Sequence, residues 1–244
     1  MMQSHPSHPH AFPPTQWSVL ISARASDSRE RSQALEQICN TYWHPIYAYT
    51  RKRGFGSQDA EDITQAFFAH LLETDEFTKM REEKGKLRTF LLVAVRNFMA
   101  ADWRRQSAQK RGGRVQVLSI DVEAAEDQTC LEPADNLTPE IVFERHWAST
   151  MLHTVMGRLQ RAFEDDGKAE VLHALKEFLI RGSGKQSYRE VAGRLGLSES
   201  AARVAAHRMR KRYRELLLEE IAGTLTPEDS VEEELRYLFG VFES

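Results

Sequence analysis

The residues of this 244-residue chain best suited to chemistry lie between 187 and 216, in the stretch SYREVAGRLGLSESAARVAAHRMRKRYREL. Val191 and Leu195 are apolar at helical spacing. Ala192 is small enough to let a second helix cross closely, and Gly196 stands where a turn between two helices needs positive φ. Leu197 is expected to plug that turn, Ser198 or Ser200 to cap the second helix, and Ala202 and Ala205 to face inward. The outward face then carries Ser200, Arg203, Val204, His207, Arg208 and Lys211. Such a helix fits the major groove of duplex DNA, with its N-terminal half toward the base edges. Arg203 is the strongest base reader, because a guanidinium can bond guanine through two hydrogen bonds. His207 and Arg208 suit bases or phosphates; Arg210, Lys211, Arg212 and Arg214 suit phosphates or a solvated face.

A second chemical signal lies upstream. Arg81 to Arg114 holds ten Lys/Arg against three Asp/Glu, and Arg181 to Glu215 repeats those counts, although the whole chain carries a net charge of −3. Two basic blocks in a mildly acidic chain suggest two contacts with a polyanion. The first block interleaves Phe90, Phe98 and Trp103 with Arg96, Arg104 and Arg105. Exposed aromatics stack on unpaired bases while arginines follow the phosphates. Phe90 and Phe98 fall on an apolar stripe, which leaves Trp103 as the stacking candidate.

Catalysis finds little support. The stretch DAEDITQAFFAHLL (59–72) places Asp59, Glu61 and Asp62 close together, but no His or further carboxylate recurs at ligand spacing. The carboxylates read as complements to a helix dipole or as an acidic docking face. His5, His8 and His10 could bind a metal, yet they stand in a Pro-punctuated segment that reads as a disordered tail. No Gly-rich phosphate loop is present. The two cysteines, Cys39 and Cys130, form neither a Cys-x-x-Cys pair nor a disulfide framework, and read as reduced thiols. The expectation is a protein that is not an enzyme and holds no metal or cofactor.

The elements that must position these residues are helical throughout. Ala and Leu together number 48, against 34 for Ile, Val and Thr, a balance that favours helix over strand. Helical periodicity predicts segments over about 29–53, 58–73 and 87–106, two over 140–180, then 187–195 and 199–220. Pro45 is expected to kink or split the first, and Ser57 to cap the second. Residues 115–139 are acidic, hold Pro133 and Pro139, and have no helical period. The chain thus divides into a tail (1–14), a helical domain (15–114), an acidic linker (115–139), a helix-turn-helix domain (140–222) and an acidic extension (223–244). The N-terminus lacks the basic and apolar regions of a secretory signal, and no apolar run approaches membrane-spanning length. A cytoplasmic location without membrane contact is expected.

These segments, in this order, resemble bacterial sigma-70-type factors of the extracytoplasmic-function (ECF) group. DAEDITQAFFAHLL resembles that family's region 2.2, LRTFLLVAVRNFMAADWRRQ its regions 2.3–2.4, and the 187–216 stretch its region 4.2. TQWSVL, QKRGG, LEPADNLTPE and the C-terminal ELRYLF are similar to a subgroup associated with planctomycetes and related bacteria. The resemblance implies two helical sigma domains, region 2-like and region 4-like, in a promoter-specificity subunit of RNA polymerase. It implies docking on the clamp helices of the largest polymerase subunit through Asp59, Asp62 and Gln65, with Phe68 as packing support. It implies capture of the −10 element by Lys86, Arg88, Asn97, Asp102, Trp103, Arg104 and Arg105. The helix-turn-helix would read the −35 element beside the flap of the second-largest subunit, and the acidic linker would thread the RNA path. An anti-sigma factor or other regulator is a further class of partner.

The sequence departs from the family pattern at Ala66, where Glu is frequent, and at Ala201–Ala202–Arg203–Val204–Ala205, in place of T-V-K-S-R. An alternative reading is a helix-turn-helix regulator that acts without replacing the sigma subunit; a DNA-acting nuclease would need a constellation the sequence lacks. Two readings of the extension also stand. Its acidic, amphipathic helix folds over a basic DNA-binding surface, or its apolar set Leu235, Leu238, Phe239 and Phe242 packs in the helix-turn-helix domain.

Overall fold

The computed structural model describes residues 28–74, 86–109, 137–179, 187–225 and 228–243. Among the described residues the fold is all α. The helices are α1 (Ser28–Lys52), α2 (Ser57–Glu73), α3 (Leu87–Gln109), α4 (Pro139–Asp165), α5 (Ala169–Leu175), α6 (Tyr188–Leu195), α7 (Glu199–Ala222) and α8 (Val231–Gly240). A 3₁₀ turn, Lys176–Leu179, extends α5. Residues 1–27, 75–85, 110–136, 180–186, 226–227 and 244, which include the expected tail and most of the expected acidic linker, lie outside the described residues.

On α1, Ile38, Tyr42, Ile46 and Tyr49 recur at intervals of three and four and are completely buried. They face α4, whose Phe143, Trp147, Met151, Val155 and Leu159 recur every fourth residue and are equally buried. Among the described residues this seam is the most extensive helix pairing. Burial of each such side chain contributes roughly 1.5–3 kcal/mol. It also explains why Pro45 leaves α1 undivided. Tyr42 and Ile46, anchored on either side of it, hold both halves of the helix against α4. Thr138 starts α4, its side chain accepting from the Ile141 N–H, and Pro139 follows at the first helical position, where a missing N–H costs nothing.

Helices α2 and α3 complete the N-terminal bundle through aromatic contacts. Phe68 stacks on Trp43 of α1 at 5.8 Å between ring centroids, and Phe67 meets Phe98 of α3 edge-on at 5.7 Å. Gly54, with φ +97°, terminates α1. The cap of α2 is Gly56 rather than the expected Ser57, which is already helical, and no side chain closes that end. The exposed position of this turn lets water satisfy the first N–H groups.

The second half of α4 packs against α7, and two ion pairs fasten them: Arg158 Nη2 to Glu219 at 2.7 Å and Nη1 to Glu220 at 2.9 Å. Helix α4 therefore belongs to both halves of the molecule. The buried apolar side chains accordingly form one connected cluster, from Ile38 on α1 to Leu238 on α8.

Candidate nucleic-acid interface

The helix-turn-helix is assembled from strong local signals. Ser187 and Glu190 form a reciprocal capping box at the start of α6: the Ser187 side chain accepts from the Glu190 N–H, and the Glu190 carboxylate accepts from the Ser187 N–H at 2.7 Å. Gly196 ends α6 at φ +63°, and the Leu197 N–H reaches back to the Ala192 carbonyl at 2.9 Å. That is a left-handed C-terminal cap with its long-range closing bond. Ser198 then caps α7, its side chain accepting from the Ala201 N–H at 3.1 Å.

Helix α7 has sharply different faces. Ala202, Ala206 and Met209 are fully buried, whereas Ser200, Arg203, Val204, His207, Arg208 and Lys211 are all exposed. Two details differ from the sequence reading. Ala205 is only half-buried, because Ala206 takes the inward position. Leu197 is 39 % exposed and does not plug the turn; the backbone bond to Ala192 closes it instead.

Arg203 is held in place before any ligand arrives. Its guanidinium donates to Glu199 at 2.7 Å and lies 4.8 Å from the ring centroid of Tyr188. An exposed i,i+4 pair of this kind contributes little stability, but it narrows the rotamers available to the arginine. Arg210 has a different role from its basic neighbours. It donates to the Phe178 carbonyl at 2.7 Å and to the Tyr188 hydroxyl at 2.6 Å, tying α7 to the 3₁₀ turn and to α6. Tyr188 in turn stacks on Phe178 at 4.3 Å. No local spacing in the sequence announces that bracket.

On α2, Asp59 is exposed, Asp62 and Gln65 are half-buried, and Phe68 is buried beneath them. Gln58 donates to Asp62 at 3.4 Å and Gln65 to Glu61 at 3.2 Å. The surface offered is a polar strip on an aromatic base.

On α3, Arg96 and Asn97 are exposed. Asp102, Trp103, Arg104 and Arg105 belong to the last part of the helix, and their side chains lie outside the described part of the structure. The two cations at the start of α3 are placed quite differently. Arg88 is 5 % exposed, and its guanidinium donates to Glu234 of α8 at 2.9 and 3.2 Å and to Glu144 of α4 at 3.5 Å. The guanidinium carbon stands 4.2 Å from the Tyr237 ring centroid and 4.9 Å from that of Trp147. Lys86 also donates to Glu234. Burial raises the pKa of Glu144, and the adjacent Arg88 opposes that rise. Glu234, Glu144, Trp147 and Tyr237 were not expected around Arg88.

The extension combines parts of both sequence readings. Leu238 is fully buried and α8 packs on α7, while Glu234 reaches the basic start of α3. Phe239 and Phe242 stay exposed, at 49 % and 41 %.

Among the described residues, no group of His, Cys, Asp or Glu could hold a metal ion, and no helix is long and apolar enough to cross a membrane. The described residues are all α, and among them a helix-turn-helix presents a basic outer face. A family model described as ECF sigma factor matches residues 32–219, and the chain belongs to that family. It is a sigma factor, directing the initiation of transcription. No curated protein and no solved structure matches it.

Proposed function

We propose that this sigma factor binds core RNA polymerase through α2 and brings it to promoters by two DNA contacts. The observation that carries this reading is the exposed row Ser200, Arg203, Val204, His207, Arg208 and Lys211 on a helix whose opposite face is wholly buried. Such a row can enter a major groove without disturbing the core, so α7 reads the −35 element, with Arg203 directed to a guanine. Ser198 and Ser200, at the helix start, lie where N–H groups and hydroxyls bind a phosphate.

The −10 element falls to α3, through Lys86, Arg88, Asn97, Asp102, Trp103, Arg104 and Arg105. The clamp helices of the largest subunit receive Asp59, Asp62 and Gln65 of α2, with Phe68 beneath, and the flap of the second-largest subunit receives the 140–222 unit. In this reading, 15–114 and 140–222 act as the two promoter-binding units, 115–139 connects them along the RNA path, and the protein works in the cytoplasm. TQWSVL, QKRGG, LEPADNLTPE and ELRYLF favour the planctomycete-type subgroup.

Run-off transcription from a fragment pool, with core polymerase and with or without the protein, tests the reading. The expected result is discrete start sites that need the protein, with shared upstream sequence at two positions. Arg203→Ala should weaken recognition at one base pair of the upstream element by about 1–3 kcal/mol. Sequence-specific duplex binding by the protein alone, with no polymerase-dependent start sites, would favour the regulator instead.

A further inference from the structure

Helix α8 carries one carboxylate that is almost completely buried, and it pairs with an arginine 146 residues away in the chain. Glu234 is 1 % exposed and receives both Lys86 and Arg88. Around it the charges balance: Lys86 and Arg88 face Glu234 and Glu144, and no other described ion pair reaches the group. The Arg88 guanidinium carbon stands 4.2 Å from the ring centroid of Tyr237 on α8 and 4.9 Å from that of Trp147 on α4, and Lys86 stands 5.7 Å from the Tyr237 ring centroid. The arrangement is a socket made by Lys86, Arg88, Trp147 and Glu144, into which α8 inserts the Glu234 carboxylate and the Tyr237 ring.

An anion that accepts from an arginine fork and a lysine at once has the chemistry of a backbone phosphate. We infer that α8 is an intramolecular clasp. Its Glu234 carboxylate occupies the place of a nucleic-acid phosphate on Lys86 and Arg88, and withholds both cations until DNA displaces it. The inference rests on the proposed reading of α3 as a DNA-contacting helix.

The physical balance suits a releasable latch. A buried ion pair contributes little net stability, since desolvation offsets most of its attraction, yet it fixes geometry closely. The rest of the α8 attachment is one side of a short helix: Leu238 and Val241 are buried, Val231 and Leu235 are half-buried against the core, Arg145 donates to the Val241 carbonyl at 3.2 Å, and Phe239 and Phe242 stay largely exposed. While the clasp is closed, Arg88 cannot reach a phosphate without uncovering the carboxylate. The apparent affinity for DNA is then reduced by the fraction of molecules with α8 released.

The experiment uses the full chain and an A/T-rich single-stranded oligonucleotide at low salt, without polymerase. Binding is measured for the wild type, Glu234→Gln and Tyr237→Ala, with amide exchange recorded over 231–240 and over α1 and α4. The expected result is roughly tenfold tighter binding by Glu234→Gln and several-fold by Tyr237→Ala, with wild-type amides at 231–240 exchanging faster once the oligonucleotide binds. Binding no tighter in variants whose α1 and α4 remain protected overturns the clasp. So does wild-type binding that leaves exchange at 231–240 unchanged. Should Glu234→Gln lose protection throughout, Tyr237→Ala and the wild-type exchange decide on the same terms. If no version binds the oligonucleotide, the DNA reading of α3 falls and the clasp with it. If all bind alike while run-off transcription succeeds, the clasp falls alone.

Discussion

His146 lies on α4 with its imidazole buried. Burial disfavours the imidazolium first, the nearby His44 disfavours it further, and together they lower the His146 pKa to about 4. His44 is shifted the same way by burial. The folded protein therefore holds His146 neutral, whereas the unfolded chain binds a proton near pH 6.5. Its contribution is fully present above about pH 6.5 and is lost as pH falls toward about 4. Urea midpoints compared between the wild type and His146→Gln, from about pH 7.5 to about pH 4.5, should show an extra wild-type loss of roughly 2–3 kcal/mol. Parallel pH profiles would refute this account. Cys39 presents the opposite case of an inert group, for burial pushes its thiol up to about 11 and removes it from thiolate chemistry.

At the scale of elements, two glycines of the helix-turn-helix respond differently to the same substitution. Gly196 occupies φ +63°, and an added Cβ there would meet nothing within 4 Å, so Gly196→Ala brings no clash, only the left-handed backbone penalty of about 1–2 kcal/mol. Gly193 is helical with equally open space around it, so Gly193→Ala should stabilise by up to about 1 kcal/mol. Urea unfolding of the pair should give opposite signs; equal signs would show that the turn does not depend on Gly196. These elements were legible because they are local. The spacing Ile38–Tyr42–Ile46–Tyr49 and the turn glycine Gly196 each act within a few residues, and each appears in the structure where periodicity or cap chemistry places it. The outward row on α7 was legible for the same reason. What escaped depends on distant partners. Arg88 and Glu234 are 146 positions apart, and nothing in the spacing of either helix records the other. Arg210 reads as one more member of a basic run until Phe178 and Tyr188 come to rest beside it. Pro45 gave a local warning that the α1–α4 seam overrides.

At the scale of the whole molecule, the connected core makes the two halves depend on each other. Trp147 is fully buried, faces α1, and walls the Arg88 guanidinium. Trp147→Ala removes packing from both halves at once and should cost roughly 3–5 kcal/mol. Because α4 is shared, that loss should appear as one shifted transition, coincident by circular dichroism and by tryptophan fluorescence. Two separated transitions in the wild type would show instead that the halves unfold independently.

The shared helix also bears on interchangeability. The acidic stretch 115–139 is the obvious place to join this chain to another member of its family. Here such a cut would separate α1 from the partner whose side chains it was shaped to meet. Ile38, Tyr42, Ile46 and Tyr49 on one side and Phe143, Trp147, Met151 and Val155 on the other form a fitted pair across that junction. The unit of exchange is thus the matched pair of faces, and a chimera that ignores it inherits both sets of helices without the joint between them.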